Sequence, residues 1–346
     1  MAKKVSGLGY TVYTVEEFLK EFEGSLFKPK DPRLNPNILP TDLESLDLIL
    51  GGGIRRGRTT MIYGIESSGK TLLTQVIIAA AQRRGGRAFF LDAEKTYDSN
   101  WFALTGVDLD DDKLTIGRPA SLEHAFDMLE GALKAKFEVV VLDSIPSLVS
   151  QAALDSKMTE KDQMGGDARK ITAGVKKCNL MNESSAFIVI NQMRSALGVV
   201  YGSPETIPGG KFLRAAASVS LRLRRGAWVL DKDLDEGEVP TFTSVDDSKE
   251  AQRVGFQMRI RVEKNKTEIP WQETDIRVLF NGSVDSTGSL VDLAIKRGVV
   301  VLEKGLSFYR VPGHDGLING RNAVADYLRE TPDARELVAA QVRNGG

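Results

Sequence analysis

Short, continuous apolar runs recur through the middle of the chain and alternate with stretches of helical period. Residues 87–92, 113–116, 138–143, 186–192 and 217–224 read as strands, and runs such as Val139-Val140-Val141-Leu142 and Ala186-Phe187-Ile188-Val189-Ile190 are apolar on both faces. Between several of them, residues 70–84, 121–136 and 167–181 repeat apolar positions at helical spacing. Strands apolar on both faces and separated by helices predict an α/β domain with a mostly parallel central sheet. Ligands of such sheets bind at the carboxyl ends of the strands.

The ends of the chain read differently. Thr14 and Glu17 have the spacing of a capping box before Val15, Phe18, Leu19 and Phe22, with Gly24 as the stop. Pro29, Pro32, Pro36 and Pro40 follow, so residues 1–40 are expected to be a helical arm on a semi-extended tether. Its apolar face either folds back on its own domain or docks on a neighbouring copy. Thr41 and Glu44 predict a second capping box for a helix through Leu43, Leu46 and Ile49, closed by Gly51-Gly52-Gly53. From there an α/β core is expected over 41–282, and a small α/β appendage over 283–346 with helices near 288–297, 318–329 and 333–343 and strands around 299–302 and 307–310. Two stretches, 151–166 and 194–210, fit no element, and both follow strand tips; long irregular segments in a compact domain are usually functional.

One strand, 58–64, runs into Gly64-Ile65-Glu66-Ser67-Ser68-Gly69-Lys70-Thr71 and then a helix beginning Leu72-Leu73. Gly64, Gly69, Lys70 and Thr71 fill the fixed positions of G-x-x-x-x-G-K-[ST], with Glu66, Ser67 and Ser68 inside the loop. Such a loop cradles the phosphates of a nucleoside triphosphate on backbone N–H groups and a helix N-terminus. Lys70 would reach the β- and γ-phosphates, and Thr71 would offer its hydroxyl to Mg²⁺. Asp143 ends a buried apolar run, with Ser144 after it, where a P-loop enzyme needs a carboxylate for the water shell of Mg²⁺. Glu94, just past another strand, is the candidate for orienting an attacking water.

Composition excludes more than it suggests. Lys+Arg number 46 against 47 Asp+Glu, so the net charge of −1 provides no global attraction for nucleic acid, and any such binding must be local. With one cysteine, Cys178, and two histidines, His124 and His314, neither a disulfide framework nor a Ser-His-Asp hydrolase is a good reading. Cys178 is expected to pack in a helix and His124 to lie on a helix surface. No apolar run is long enough for a membrane span, and a cytoplasmic protein is expected. Within the two irregular stretches, Lys157, Lys161, Arg169 and Arg194 suit phosphates, and Met164, Leu197, Val199, Val200 and Tyr201 suit base contacts.

Taken together, Gly-Ile-Glu-Ser-Ser-Gly-Lys-Thr, Leu-Asp-Ala-Glu at 91–94, Val-Val-Val-Leu-Asp-Ser at 139–144, Asn-Gln-Met-Arg at 191–194, Leu-Gly-Val-Val-Tyr-Gly-Ser-Pro-Glu-Thr-Ile-Pro-Gly-Gly at 197–210 and Glu263-Lys264-Asn265-Lys266 resemble the bacterial RecA recombinase family. The resemblance runs from about Ser45 to the C-terminus. It implies a RecA-like P-loop ATPase that forms a helical homo-oligomeric filament on single-stranded DNA, pairs it with homologous double-stranded DNA and exchanges strands, with ATP and Mg²⁺ between subunits. Single-strand-binding and mediator proteins are further partners of that family. By position, Glu94 matches the catalytic glutamate and Gln192 the glutamine linking the γ-phosphate to a DNA loop. Lys264 and Lys266 match lysines reaching ATP from the next subunit, and Asp98 and Trp101 fall where adenine is contacted. The first DNA loop would be about 151–166 with Met164 and Gly165, continuing to Arg169; the second, 194–210, holds Arg194, Leu197, Gly198, Val199, Tyr201, Gly209 and Gly210. Arg224, Arg225, Arg259 and Arg261 match basic positions for the second, duplex DNA. Strand alternation places Arg259 and Arg261 on one face and Arg222 and Arg224 on another. The resemblance also favours docking of the N-terminal arm on a neighbouring copy.

Departures from the pattern shape further expectations. Residues 226–254 resemble an insertion holding eight acidic residues, with Trp228 and Phe242, expected to be an exposed hairpin or loop. Ala215 and Ser220 stand where the family commonly has an aromatic and a basic interface residue. The ending Val342-Arg343-Asn344-Gly345-Gly346 lacks the acidic tail of many relatives, from which weaker self-inhibition of duplex entry is expected. Two other readings stay open: a DNA-binding ATPase filament serving as scaffold or signal without strand exchange, and a hexameric helicase.

Overall fold

The computed structural model describes residues 3–4, 11–31, 34, 37–156, 166–195, 205–206, 210–230, 252–303 and 307–345. They form two compact units, residues 1–37 and 38–346. In the first, β1 (Lys3–Lys4) pairs with β2 (Thr11–Val12), and α1 (Val15–Glu21) follows. Its N-terminus has the expected capping box: Glu17 N donates to Thr14 Oγ1 at 3.2 Å and Thr14 N to Glu17 Oε2 at 3.0 Å. Val15, Phe18, Leu19 and Phe22 are exposed.

The second unit opens with β3 (Ile38–Leu39), α2 (Glu44–Leu50) and β4 (Ile54–Arg55). The alternating core follows: β5 (Arg58–Gly64), α3 (Lys70–Arg83), β6 (Ala88–Asp92), α4 (Ser99–Leu104), β7 (Leu114–Gly117), α5 (Leu122–Lys134) and β8 (Val139–Asp143). Next come α6 (Gln151–Asp155), α7 (Gly166–Met181), β9 (Ala186–Gln192), β10 (Arg194–Ser195), β11 (Glu205–Thr206) and α8 (Gly210–Ala216). Then β12 (Val219–Leu230), β13 (Arg253–Asn265), β14 (Glu273–Leu279) and β15 (Val284–Asp285) complete the sheet. After these lie α9 (Ser286–Lys296), β16 (Val301–Leu302), β17 (Phe308–Arg310), β18 (Ile318–Asn319), α10 (Arg321–Glu330) and α11 (Pro332–Asn344).

Among the described residues the main sheet has nine strands in the order β15-β14-β13-β12-β5-β9-β8-β6-β7. From β12 to β7 every neighbouring pair is parallel, and β12 through β15 pair antiparallel. Strand alternation divides the core in two. Ile62, Phe90, Val141 and Ile188 join one cluster with α2, α3 and α9–α11. Met61, Tyr63, Leu91, Val140 and Val189 join the other with α5, α7 and Leu213 of α8. Because Leu290, Val324, Leu328 and Val338 belong to the first cluster, residues 283–346 share the core of the main sheet.

Several expectations are corrected. The capping box at Thr41 and Glu44 does not form, because Asp47 competes for the same donors. Thr41 N and Oγ1 donate to Asp47 Oδ1 at 3.0 and 2.8 Å, Leu43 takes the N-cap position, and Glu44 pairs with Arg335 at 2.6 Å. The stretch 151–166 includes α6, and 194–210 includes the β10–β11 pair, both too short to give a periodic signal. Arg222 is directly opposite Arg261, and Arg224 opposite Arg259, on antiparallel strands, so all four lie on one face and not on two. Residues 226–230 and 253–254 also belong to paired strands, with Trp228 opposite Phe256 and Leu230 opposite Arg253, so the excursion starts later than 226.

Burial, reinforced by the charge of Asp42, pushes the Asp47 carboxyl up to about 7. The folded chain therefore keeps a proton that the unfolded chain releases near pH 4, and Asp47 lowers stability as pH rises from about 4 to about 7. Asp47→Asn should flatten this part of the stability-versus-pH curve and raise stability at pH 8 by about 2 kcal/mol relative to the parent, as read by urea unfolding. Parallel curves for variant and parent would contradict it.

Candidate nucleotide site and nucleic-acid face

Parallel pairing brings the carboxyl ends of four strands together: Gly64 of β5 is opposite Gln192 of β9, and Asp92 of β6 opposite Asp143 of β8. The phosphate loop emerges at this edge. Gly64 is required where it stands, since an added Cβ would lie 2.3 Å from the Leu223 carbonyl oxygen and 2.7 Å from Ser68 Oγ. Gly69 has φ +90° at the N-cap of α3, and its Cβ would meet Met258 Sδ at 2.7 Å. Glu66, Ser67, Ser68, Gly69, Lys70, Thr71 and Leu72, together with Glu94, Asp143 and Gln192, line a cleft of about 430 Å³.

Inside this cleft, Lys70 Nζ donates to the Ile65 carbonyl at 2.8 Å, leaving further donors for a phosphate. Burial draws its pKa down, opposed by the charges of Asp143, Glu94 and Glu66. Thr71 Oγ1 donates to Asp143 Oδ2 at 2.7 Å. Burial, and then the charges of Glu94 and Asp92, push Asp143 up to about 7, although the Thr71 hydrogen bond and Lys70 act the other way. A hydroxyl beside a buried carboxylate short of positive charge is a donor set that fits Mg²⁺.

Glu94 joins three strand ends. Its Oε1 accepts from Ser144 Oγ, and from Gln192 Nε2 at 2.7 Å, while Glu94 N donates to the Asp143 carbonyl at 3.3 Å. Oε2 remains to accept from a water. Gln192 stands two residues before Arg194, where β10 begins, so one side chain connects the cleft to the start of the second candidate loop.

Asp92 at this edge and the remaining expected site residues lie outside the cleft. Asp92 accepts from Thr96 N, Tyr97 N and Arg118 Nε, which makes it a holder of the turn after β6. Asp98 caps α4 by accepting from Trp101 N at 2.9 Å, and Trp101 is 37 % exposed; neither lines the cleft. Lys264 Nζ donates to the carbonyls of Arg214, Ala215 and Ala217 at 2.7, 3.0 and 2.7 Å, capping the C-terminal end of α8. Lys266 is exposed. Cys178 is buried with its thiol pushed up to about 12 by desolvation, and His124 is exposed on α5.

Of the candidate nucleic-acid contacts, Met164, Gly165, Leu197, Gly198, Val199, Tyr201 and Gly209 lie outside the described residues. Arg194 is in β10, Gly210 opens α8, and Arg169 is exposed on α7. The flanks of the first loop share an anchor, because Glu123 of α5 accepts from Gln151 N at 2.9 Å and Lys170 Nζ at 2.8 Å. Arg224, Arg225, Arg259 and Arg261 are exposed. Arg259 Nε donates to Asp275 at 2.8 Å, the Arg261 guanidinium lies 5.3 Å from the Trp271 ring, and the Arg225 and Arg253 guanidiniums lie 4.5 and 4.7 Å from the Trp228 ring.

Sequence reasoning missed a polar cluster behind the phosphate loop. Glu263 accepts from Tyr63 Oη, from Arg214 Nη2 at 2.6 Å and from Arg222 Nη1 at 3.3 Å. The signal was Glu263 itself, a lone carboxylate beside the matched lysines; its partners are far away in sequence.

A family model described as RecA N-terminal domain matches residues 13–285. The chain is 36 % identical over 315 residues to Protein RecA of Thermus aquaticus, spanning 90 % of this chain and 86 % of that one. Identity to Protein RecA of Acidothermus cellulolyticus is 34 % over 327 residues, 93 % and 88 % of the two chains, and to that of Synechococcus elongatus 36 % over 314 residues, 90 % and 82 %.

Gly64→Ala should lower stability by about 1–3 kcal/mol, because the new methyl meets a strand carbonyl that cannot move aside. Gly131→Ala, in α5 with nothing within 4 Å of its added Cβ, should instead raise it by about 0.5–1 kcal/mol. Thermal unfolding of the two variants checks both signs.

Proposed function

The chain belongs to the bacterial RecA family, and from that premise we propose how its own residues divide the work of ATP-dependent strand exchange. The protein is a DNA-dependent ATPase of homologous recombination and repair. It forms a helical filament on single-stranded DNA and pairs it with homologous duplex. Head-to-tail contacts of one surface with a different one generate such open filaments.

In this reading the Gly64–Thr71 loop binds the triphosphate, with Lys70 transferring a hydrogen bond from the Ile65 carbonyl to a phosphate oxygen. Thr71 and Asp143 would hold the accompanying Mg²⁺, Asp143 through water. That ion would neutralise charge on the β- and γ-phosphates. Glu94 orients the attacking water through Oε2, while Ser144 and Gln192 hold Oε1. Trp101, from an exposed helix position, supplies an aromatic face for adenine, with Asp98 beside it.

Lys266 reaches the nucleotide of the neighbouring subunit, and Lys264 joins it after exchanging the α8 carbonyls for phosphate. The two loops, with Arg169 and Arg194, follow the first strand. Arg224, Arg259 and Arg261, on one sheet face with Arg222, receive the duplex together with Arg225, which lies beside them where the ladder shifts register. The arm at 1–40 docks on the next copy, and single-strand-binding and mediator proteins act on the same DNA. No helix among the described residues is long and apolar enough to cross a membrane. We assign the protein to the cytoplasm.

The observation that carries this reading is the Glu94 carboxylate held by Ser144 and Gln192 at the mouth of the phosphate cleft. Lys70→Ala should abolish ATP-driven filament extension on single-stranded DNA in electron micrographs and joint-molecule formation in a D-loop assay. Glu94→Gln should still bind ATP and hold DNA while hydrolysing about a hundredfold more slowly or less. Unchanged turnover would assign the water to another group, and hydrolysis without joint molecules in the parent would favour a scaffold filament.

A further inference from the structure

The Glu263 cluster sits at an irregularity that the sheet does not need. Along the β12–β13 ladder Ser220 is opposite Lys264 and Leu221 opposite Val262, so Glu263 is the extra residue of a β-bulge. Bulges re-aim side chains. Here the carboxylate meets Tyr63 Oη of β5, Arg214 of α8 and Arg222 of β12. Its neighbour Lys264 donates to three carbonyls at the end of α8. Burial would raise the Glu263 pKa, but the Tyr63 and Arg222 hydrogen bonds and the two arginine charges outweigh it and hold the carboxyl below its ordinary range.

These contacts connect two places that matter. Tyr63 directly precedes Gly64 of the phosphate loop, and α8 directly follows the second candidate DNA loop. At its other end that loop follows Gln192, which is bound to Glu94. The loop is thus tied to the nucleotide site at entry through Gln192 and at exit through α8.

We propose that Glu263 is a positioning residue that couples the second DNA loop to the phosphate loop through Tyr63 and Arg214, a route separate from the one through Gln192. This rests on the reading of the chain as a DNA-stimulated ATPase. Glu263 does not line the phosphate cleft. It makes movement of α8 and movement of the β5 tip mutually dependent, because a largely buried carboxylate that loses either Arg214 or the Tyr63 hydroxyl is left without a partner that offsets its desolvation.

The test is the ratio of ATP turnover with saturating single-stranded DNA to turnover without it, measured on the full chain with Glu263→Gln, Arg214→Gln and the double variant. Glu263→Gln keeps shape and an acceptor for Tyr63 but removes the charge that holds Arg214. The ratio should fall about five- to tenfold in each single variant, and no further in the double, with DNA-independent turnover and KM for ATP as in the parent. Thermal unfolding is followed in parallel. Because Arg214 is half exposed, its variant tests the same contact should Glu263→Gln fold poorly. Undiminished stimulation in Arg214→Gln, or losses that multiply in the double, would overturn the inference while leaving the ATPase reading intact. A parent that DNA does not stimulate would remove both.

Discussion

Burial of negative charge at the carboxyl edge of the sheet is the constraint on which the site depends. Asp92 and Asp143 end adjacent strands with almost no solvent contact, and Glu94 is half buried just beyond them. Carboxylates so placed repel one another and lose hydration, a cost of several kcal/mol unless each finds a partner. Each solution is different. Asp92 is absorbed by backbone N–H groups and Arg118, Asp143 by Thr71 with Lys70 nearby, and Glu94 by Ser144 and Gln192. The arrangement is stable enough to persist and still short of positive charge, which is the condition for attracting a cation with a polyphosphate.

Two parallel-strand neighbours and one helix make this geometry possible, and both were legible. The apolar runs 139–142 and 186–190 are buried completely, as strands covered on two faces must be, and α3 starts at Lys70 as the glycine loop requires. Local chemistry was read correctly at Thr14, where the cap and its partner are three residues apart. At Thr41 the same pattern failed because Asp47, one turn further on, offers the threonine a better acceptor and Ser286 receives the Glu44 N–H instead. A two-residue signature cannot weigh a competitor outside it.

Register was the other limit. Alternation along a single strand groups Arg259 with Arg261, but which face Arg222 and Arg224 share depends on pairing across β12 and β13, and on bulges in it. Glu263 illustrates the same point. Its role is determined by Tyr63 and Arg214, 200 and 49 residues away, which no short motif can bring together. The C-terminal helices likewise looked separable by a change of pattern, whereas their apolar faces complete the cluster beneath α2 and α3.

The Trp228 ring, held between the Arg225 and Arg253 guanidiniums and edge-on to Phe280, closes the end of the β12–β13 ladder where Leu230 is paired with Arg253. Chain leaving the sheet at 230 must return at 253 directly beside it. The entropy of closing such an excursion grows only logarithmically with its length. This corner is therefore a tolerant port in the architecture: acidic residues, or a whole grafted module, can be gained or lost there over evolutionary time while the register of the four arginines, anchored below it, is preserved.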